Sequence, residues 1–381
     1  MELELTSEQA LIRDAARRLA DAEIAPRAKQ TDKEGLFPRA QLKALADAGF
    51  LAMLVDEAHG GTGAGSMGYA LAMTEIARAC ASTAVTMAVT NMVADAIAAW
   101  GDEAQKARYI PRLASGELVC GSFALSEPQS GTDAASLRAT AERRGDVYVL
   151  RGTKCWITSG DHAGLILVMA KTQPEAGARG ISCFLVEPTM KGFSVGAHEK
   201  KMGLRGSSTV TINLDECEVP AENRLGPEGV GFKVAMRALD GGRIGIGSQA
   251  NGIHLACLEA SRRYALDRQQ FGRPIADFQA IQWKLADMAT SLDAARLLVL
   301  RAAWLKDSGL PFSKEASMAK VFATESANQA ALEAVQIHGG YGYTDEFPVE
   351  RHLRDVRVST IYEGTSEIQR FVIARQLLGA G

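Results

Sequence analysis

The stretch IYEGTSEIQR, near the end of the chain, holds one carboxylate that could do chemistry. Glu363 stands between Tyr362 and Gly364, just before an apparent helix start at Thr365 and Ser366. An acid in this position is either a solvated turn residue or a desolvated general base. Loss of solvation raises the pKa of a carboxylate toward the range in which it can remove a proton. The stretch by itself leaves both alternatives open.

Two stretches in the middle of the chain offer groups that suit a phosphate or the edge of a flavin. FALSEPQSGTDA supplies backbone N–H groups and the hydroxyls of Ser126, Ser130 and Thr132 after a strand-like run. In KCWITSG, the alternation of side chains along a strand places Trp156 and Thr158 on one face. The alternatives are an ordinary turn for the first stretch and a core tryptophan for the second.

Three stretches of the C-terminal part are rich in glycines or cations. LDGGRIGIGSQANG begins a helix with five glycines, each of which costs a helix about 1 kcal/mol relative to alanine. Close backbone approach by a ligand would explain them. DRQQFGRPI groups two arginines and a glutamine around Phe271, and the alternative is a solvated turn. QIHGGYGY is also compatible with an ordinary helix C-cap in which Gly339 or Gly340 is left-handed.

The pattern Gly63-x-Gly65-x-x-Gly68 resembles the glycine spacing of a dinucleotide-binding fingerprint. That fingerprint requires a strand directly before it and a parallel βαβ unit around it. The nearest strand-like run, FLAMLV, ends well upstream, and the flanking segments are helical in pattern. We therefore interpret this segment as a loop that connects helices.

The composition is that of an ordinary globular protein, with 47% hydrophobic and 23% charged residues and a formal net charge of −3. No basic segment interleaved with aromatic residues favours nucleic-acid binding. The uncharged run 79–94 is shorter than the ~20 residues of a membrane span, and it is rich in Ala, Thr and Ser. This run predicts a buried core helix and no membrane span.

Cysteine and histidine usage indicates a reducing compartment and argues against a metal centre. The six cysteines form no C-x-x-C pair, and the six histidines never fall at zinc-ligand spacing. The N-terminal segment MELELTSEQALIRD lacks the features of a signal or transit peptide. We therefore expect mostly buried, reduced thiols, no metal, and a cytoplasmic protein, or a mitochondrial matrix protein if it is eukaryotic and already processed.

Hydrophobic periodicity divides the chain into a helical, a strand-rich and a second helical part. In the first part, Thr6-x-x-Gln9 has the form of a capping box, one helix extends to Pro26, and another covers 38–48. Between about 118 and 213, short β-branched and aromatic runs predict an antiparallel sandwich or barrel. Helices at about 230–266, 276–308 and 313–337, and one from Ser366, then predict a bundle of four.

In order and wording, six of these stretches resemble the acyl-CoA dehydrogenase family, and most closely its short-chain (butyryl-CoA) branch. They are FALSEPQSGTDA, KCWITSG, LDGGRIGIGSQANGI, DRQQFGRPI, QIHGGYGY and IYEGTSEIQR. The resemblance extends from end to end of the chain. It implies an α+β multidomain fold with an N-terminal α-helical domain in 1–121, a middle β-barrel in 122–229 and a C-terminal four-helix bundle in 230–381.

The resemblance implies FAD as the cofactor. By position, the implied FAD contacts are Phe123, Ala124, Leu125, Ser126 and Thr132; Trp156, Ile157 and Thr158; Arg268 and Gln279; Gln336, Ile337, His338, Gly339 and Gly340; and Thr365, Ser366 and Glu367. In the family, the segment that matches 336–340 reaches the FAD of a neighbouring subunit. The last group lies at a helix N-terminus, which presents free N–H groups to a pyrophosphate.

The resemblance also assigns the catalytic base to Glu363. The implied substrate contacts are Thr132, Asp240, Gly241, Gly242, Arg243, Tyr362 and Gly364. One branch of the family carries its base at the position of Gly242, which has no side chain here, and we interpret the nearby Asp240 as a substrate contact. In the family, the backbone N–H of the base and a ribityl hydroxyl of FAD polarise the thioester carbonyl.

The implied activity is the oxidation of a short-chain acyl-CoA to the trans-2-enoyl-CoA in fatty-acid or amino-acid catabolism. Hydride passes to flavin N5, electrons pass to an electron-transfer flavoprotein, and the assembly is a homotetramer, a dimer of dimers. The alternatives are a branched-chain or other dehydrogenase, an oxidase or a monooxygenase on the same fold, and a non-catalytic flavoprotein that binds CoA esters. A carboxylate at Glu363 argues against the monooxygenase branch, which dispenses with this base. Acyl chain length and branching stay open.

Overall fold

The computed structural model describes residues 4–379, which form a helical part, a sheet and a second helical part. The N-terminal helices are α1 (Ser7–Leu19), α2 (Ala25–Glu34), α3 (Arg39–Asp47), α4 (Gly65–Ala79), α5 (Ala81–Trp100) and α6 (Glu103–Ala114). The predicted capping box begins α1. The Thr6 Oγ1 accepts the Gln9 N–H at 3.2 Å, and the Gln9 side chain accepts the Thr6 N–H at 3.1 Å.

The first helix does not end at Pro26, so that prediction is wrong. A π-turn at Ala20–Ile24 connects α1 to α2, and Pro26 lies in the first turn of α2. A proline lacks the N–H that a continuous helix uses at this position, and the π-turn directly before Pro26 is the irregularity that lets the helix continue past it. The helix therefore continues to Glu34 and ends at Gly35, whose φ is 63°.

The glycines of the Gly63-x-Gly65-x-x-Gly68 pattern are not part of a βαβ unit. Residues 4–64 form helices and loops without a strand, and α4 begins at Gly65. A Cβ on Gly68 would lie 3.0 Å from Ile12 Cδ1, so this glycine allows α4 to pack closely on α1. Gly63 thus lies in a connecting loop as predicted, whereas Gly65 and Gly68 belong to the helix that follows.

Cys80, whose backbone is extended, divides the uncharged run 79–94 between the end of α4 and the start of α5. Helix α5 is long and apolar enough to cross a membrane by length and composition, but 89% of its apolar window is buried inside the protein. The prediction of a buried core helix is confirmed for α5. The six cysteines are free and buried, also as predicted.

The middle part forms one eight-stranded sheet. Its strands are β1 (Gly121–Ala124), β2 (Thr140–Arg144), β3 (Val147–Thr158), β4 (Leu165–Lys171), β5 (Ile181–Val186), β6 (Phe193–His198), β7 (Thr209–Pro220) and β8 (Arg224–Leu225). The order is β6-β7-β3-β2-β4-β5-β8, and β1 pairs with β4 in parallel. A wholly antiparallel sheet was therefore a wrong prediction. The β2–β3 hairpin lies between β1 and β4 in sequence, and this long connection lets the chain return in the same direction.

Strand β4 is buried on both faces. Leu167 packs into a cluster with α5 and α6, whereas the neighbouring Val168 packs with Ile157 and Ile212 inside the sheet. A strand with two apolar faces has a continuous hydrophobic sequence, as GLILVMA has. The sheet is thus held firmly against the N-terminal helices.

The C-terminal part contains α7 (Gly231–Asp267), α8 (Gln279–Asp307), α9 (Ser313–His338), α10 (Val349–Val356) and α11 (Ser366–Leu377). A small hairpin, β9 (Gln269–Gln270) and β10 (Arg273–Pro274), lies between α7 and α8. The four predicted helices are present, and α10 is an additional short helix. Ala316, Ala319, Ala323 and Ala327 lie at helical spacing in α9, and all are buried in the apolar cluster of this part.

Candidate active site

Glu363 and Gly364 lie in a left-handed segment between the 3₁₀ turn Arg357–Thr360 and helix α11. The φ angle is 51° at Glu363 and 91° at Gly364. Positive φ is uncommon for a residue with a side chain, whereas glycine adopts it readily. The surrounding contacts must therefore hold Glu363 in place. Thr365 is the N-cap of α11, and its Oγ1 accepts the Ile368 N–H at 3.4 Å.

Two buried side chains bind the carbonyl groups of this segment. Lys320 Nζ, on α9, donates to the Gly364 carbonyl at 2.8 Å, and the Gln369 amide, on α11, donates to the same oxygen at 2.9 Å. The Gln369 amide also donates to the Glu363 carbonyl at 3.3 Å. Both side chains are 0% exposed. Sequence analysis missed both residues, and the available signal for Lys320 was a lysine at helical spacing from the buried Ala316 and Ala323 of α9.

The carboxylate of Glu363 is shielded and lacks a partner on one oxygen. Its Oε2 is buried and accepts no hydrogen bond from any residue in the range 4–379. A Cβ on Gly242 would lie 2.2 Å from this oxygen, so only glycine leaves room for it. Burial raises the pKa of Glu363 to about 7, although the charges of Lys320 and Arg243 act in the opposite direction. The alternative that Glu363 is a solvated turn residue is therefore wrong for its carboxylate.

Tyr362 connects the segment to α7 and α5. Its hydroxyl donates to the Oε1 of Gln249, and the Gln249 amide donates to the Ala81 carbonyl at 2.9 Å. Burial raises the pKa of Tyr362 well above its ordinary value, and the Glu363 charge adds to the effect. The phenol therefore stays neutral, and its ring packs against the apolar cluster of the C-terminal helices.

Asp240 and Arg243, one turn apart on α7, form an ion pair in the same site. Arg243 Nη1 donates to Asp240 Oδ1 at 2.5 Å and to Ser317 Oγ at 3.3 Å. Ser313 Oγ donates to the same Asp240 oxygen at 3.0 Å. Asp240 is thus already paired, which makes it a poorer candidate base than Glu363. The Nε of Arg243 is buried without a partner in the described chain, so a substrate atom could use this donor.

Protein neighbours explain several glycines of α7 that were expected to mark ligand approach. A Cβ on Gly245 would lie 2.5 Å from the Tyr69 hydroxyl, and one on Gly252 would lie 2.3 Å from the Thr74 carbonyl oxygen. These glycines let α7 approach α4 closely. The expectation is therefore wrong for Gly245 and Gly252. Gly242 differs, since the side chain of the candidate base occupies the space beside it.

A buried ion pair fixes the loop after β1 against β3. Lys154 Nζ donates to Glu127 Oε1 at 2.8 Å and to the Leu125 carbonyl at 3.0 Å. Glu127 also accepts the N–H groups of Arg138 at 2.6 Å and Ala139 at 2.9 Å. The loop contains the predicted residues Phe123, Ala124, Leu125, Ser126 and Thr132, of which Thr132 is exposed. Sequence analysis quoted both stretches but missed the pair that joins them.

Trp156 lies on the surface, so the alternative of a core tryptophan is wrong. Its side chain is 63% exposed and its φ is 61°. The pairing of β3 with β7 shifts register between Lys154 and Ile157, and this irregularity interrupts the simple alternation of side chains. Ile157 is buried, and the Thr158 carbonyl accepts the Ser122 hydroxyl at 2.7 Å. The exposed indole leaves a face for a flat ring.

The remaining residues predicted to bind the cofactor line the surface of the C-terminal helices. Arg268, Ile337, His338, Gly339 and Gly340 line a pocket of about 470 Å³, and Thr365, Ser366 and Glu367 line another of about 240 Å³. Gln279 and Gln336 are exposed. Within residues 4–379, the buried Nε2 of His338 and Oγ of Ser366 have no hydrogen-bond partner. The structure therefore distributes these residues over separate surfaces rather than one pocket.

The chain matches three consecutive family descriptions. These are "Acyl-CoA dehydrogenase, N-terminal domain" over residues 6–117, "Acyl-CoA dehydrogenase, middle domain" over 122–217, and "Acyl-CoA dehydrogenase, C-terminal domain" over 229–378. The matched segments follow the helical, sheet and helical parts of the structure. The predicted fold class is therefore confirmed.

Similar proteins cover nearly the whole chain. The short-chain specific acyl-CoA dehydrogenase, mitochondrial, of Homo sapiens is 48% identical over 377 residues, which is 99% of this chain and 91% of that protein. The acryloyl-CoA reductase (NADH) of Anaerotignum propionicum is 44% identical over 380 residues, 99% of this chain and 96% of that protein. The structure of butyryl-CoA dehydrogenase from Megasphaera elsdenii matches with a TM-score of 0.97 and 40% identity, over 99% of this chain and 100% of that one.

These similarities agree with one another. Members of the family are FAD-dependent oxidoreductases that act on acyl-CoA. Identity of this level over this length shows common descent as well as a common fold. The chain therefore belongs to the acyl-CoA dehydrogenase family.

Proposed function

We propose that this chain converts a short-chain acyl-CoA to the trans-2-enoyl-CoA, with FAD as the cofactor and Glu363 as the base. The observation that carries the proposal is the buried Oε2 of Glu363, which has no partner among residues 4–379, beside the bare backbone of Gly242. A carboxylate in water is too weak a base for an α-proton of a thioester, and desolvation increases its basicity. Similarity to proteins named short-chain and butyryl-CoA dehydrogenases supports the substrate class.

The groups around Glu363 suit the removal of an α-proton. The carboxylate accepts this proton and becomes a carboxylic acid, while the bare backbone of Gly242 leaves room for its Oε2 atom. The backbone N–H of Glu363 makes no hydrogen bond within residues 4–379, so it is available to the thioester carbonyl. Tyr362, next to the base, stays neutral and adds no charge beside it.

The surfaces predicted to bind FAD fit such a group in four ways. The exposed Trp156 ring can cover a flat heterocycle, and Arg268 can meet a phosphate. At Gly339 a Cβ would meet nothing within 4 Å, so the backbone can be approached closely. The N-terminal turn of α11, with the buried Ser366 hydroxyl, suits an anion. When bound, FAD supplies the acceptor for the hydride that leaves the β-carbon.

Anaerobic reduction of the bound flavin tests the proposal. Butyryl-CoA added to the FAD-loaded protein should bleach the visible flavin absorbance, and a panel of acyl-CoA thioesters should give its highest kcat/KM at a short chain. Bleaching by long-chain thioesters alone would contradict the substrate class. Absence of bleaching by every saturated acyl-CoA would contradict dehydrogenation.

The partners follow from the same proposal. We expect electrons to pass to an electron-transfer flavoprotein, in a β-oxidation or amino-acid catabolic route inside the cell, in the cytoplasm or the mitochondrial matrix. The pocket formed by Arg268 and residues 337–340 faces outward, which supports a homotetramer in which one subunit completes the FAD site of another. Sedimentation of the FAD-loaded protein checks this assembly, and a stable flavin-loaded monomer would contradict it.

A second candidate function is the reverse reaction, reduction of a short-chain enoyl-CoA. The similarity to the acryloyl-CoA reductase favours it. By microscopic reversibility, protonated Glu363 would return the proton to the α-carbon, and a pKa of about 7 leaves both protonation forms populated near neutral pH. Rates with an electron-transfer flavoprotein as acceptor and with NADH as donor, measured on the same preparation, distinguish the two directions.

A further inference from the structure

Lys320 is buried in α9 without a carboxylate in direct contact. It is 0% exposed, and its Nζ donates to the backbone carbonyl of Gly364 at 2.8 Å. Within the part of the chain that the structure describes, it forms no ion pair. An ammonium group is strongly hydrated in water, and its burial without a partner carries a large free-energy cost. A charge kept in this position needs an explanation beyond stability.

The charged groups that face Lys320 come from three elements. Glu363 lies just before α11 and Glu367 in its first turn, Arg243 lies on α7, and Glu325 lies on α9 itself. Glu325 is already paired with Arg370, whose Nη2 lies 2.7 Å from its Oε1, and Glu367 is exposed. Glu363 is therefore the acid on which the charge of Lys320 acts most directly.

We propose that Lys320 is a positioning residue for the base. It holds the left-handed backbone of Glu363 and Gly364 through the Gly364 carbonyl, and it places a positive charge near the Glu363 carboxylate. The inference rests on the proposed function of Glu363. Gln369 donates to the same carbonyl at 2.9 Å but carries no charge. The two residues thus share the first role, and only Lys320 has the second.

The effect of the charge has a definite sign. Burial raises the pKa of Glu363 to about 7, and the Lys320 charge lowers it, so loss of that charge raises the pKa further. Activity that requires the ionised carboxylate then begins at a higher pH. Burial lowers the pKa of Lys320 to about 8, so its charge is present in the pH range in which Glu363 ionises.

Lys320→Met and Gln369→Leu form a matched pair, because each removes one donor to the same carbonyl and only the first removes a charge. In Lys320→Met we expect the acidic limb of kcat/KM against pH to move up by about one unit. In Gln369→Leu the rate should fall without movement of that limb. Lys320→Arg restores the charge and should return the limb toward its wild-type position. If the acidic limb of kcat/KM lies at the same pH in Lys320→Met and in wild type, the proposal is overturned.

A second measurement does not depend on turnover. Infrared difference spectra of each protein against its Glu363→Gln counterpart isolate the Glu363 carboxyl band, which is titrated with pH in the FAD-loaded protein. We expect the carboxyl pKa to be higher in Lys320→Met, and in Lys320→Gln if the Met variant does not fold. If wild type oxidises no acyl-CoA, the proposed function fails, while the titration still tests Lys320. The same carboxyl pKa in wild type and in the neutral variants would contradict the inference.

Discussion

Two buried lysines in this chain have opposite surroundings. Lys154, under the loop after β1, is bound directly to the carboxylate of Glu127, and that carboxylate also accepts two backbone N–H groups. Lys320, under the candidate base, binds only a backbone carbonyl, and Oε2 of the neighbouring Glu363 has no partner in the described residues. Both lysines are 0% exposed.

The two carboxylates differ as a result. Burial acts to raise the pKa of Glu127, but the Lys154 charge and the backbone donors outweigh it, and the pKa lies below its ordinary value. Burial dominates at Glu363, whose pKa rises to about 7. A fully satisfied buried pair stabilises structure, whereas an incompletely satisfied carboxylate keeps its capacity to accept a proton.

Glu363→Gln gives the largest expected effect. The variant keeps the shape of the side chain and removes the base, and Gly242 offers no side chain to replace it. Loss of a general base costs about 10²- to 10⁴-fold in rate. Stopped-flow bleaching of the flavin by butyryl-CoA measures it, with FAD content and acyl-CoA binding as controls. Bleaching within a few-fold of wild type would make Asp240→Asn the next test.

Glu127→Gln should chiefly affect stability. It leaves the buried ammonium of Lys154 without its counter-charge, and breaking one partner of a buried pair costs about 3–5 kcal/mol of unfolding free energy. Denaturant unfolding measures the loss. Glu363→Gln is the matched control, since it removes a buried carboxylate that has no direct ion-pair partner. Equal destabilisation of the two variants would contradict the view that Glu127 stabilises the structure and Glu363 does not.

Gly242→Ala tests the space beside the base. Its Cβ would lie 2.2 Å from Glu363 Oε2, so the carboxylate must move. A displacement of about 1 Å at a reacting group can cost about 10²-fold in rate. We expect a loss in kcat with FAD retained. Gly145→Ala, in the turn between β2 and β3, is the control, because a Cβ there would meet nothing within 4 Å and Gly145 is not a predicted contact. An unchanged kcat in Gly242→Ala would show that this contact does not set the position of the base.

Arg268→Ala extends the test to an exposed cation. Its guanidinium lies 5.8 Å from the centre of the Tyr341 ring and lines the pocket with Gly339 and Gly340. Loss of a charge-assisted contact to a phosphate should weaken FAD retention by about 1.5–3 kcal/mol. Flavin content after gel filtration, at increasing salt, measures it. Arg273→Ala is a control on the adjacent hairpin, and equal flavin loss there would mean that general charge is responsible.

The pH dependence of stability gives the smallest effect. Glu363 has a folded-state pKa of about 7 against an ordinary value of 4.5. The stability that it contributes is fully present below the ordinary pKa and is lost as the pH rises to the folded pKa. Relative to wild type, Glu363→Gln should therefore gain on the order of 1–3 kcal/mol of unfolding free energy between about pH 4.5 and 7. If the unfolding free energies of wild type and Glu363→Gln change with pH in parallel, the raised pKa of Glu363 is contradicted.

Local patterns in the sequence were sufficient for most of the helices and strands, whereas the candidate base was identified through the resemblance to a known family. The capping box at Thr6, the long helices and the apolar run in β4 depend on spacing along the chain, so periodicity identifies them. The bulge near Trp156 and the parallel pairing of β1 with β4 depend on strand partners distant in sequence. Neither was predictable from local pattern, and both depart from the predicted antiparallel alternation.

The sequence by itself determined that one acid, Glu363, lies between Tyr362 and Gly364 in a stretch that matches a known family. Only the tertiary structure decided what surrounds that acid. Gly242, Lys320 and Gln369 reach it from other positions in the chain, on α7, α9 and α11. The physical reason is that the pKa of a carboxylate depends on burial and nearby charge, and both are created when distant helices pack together.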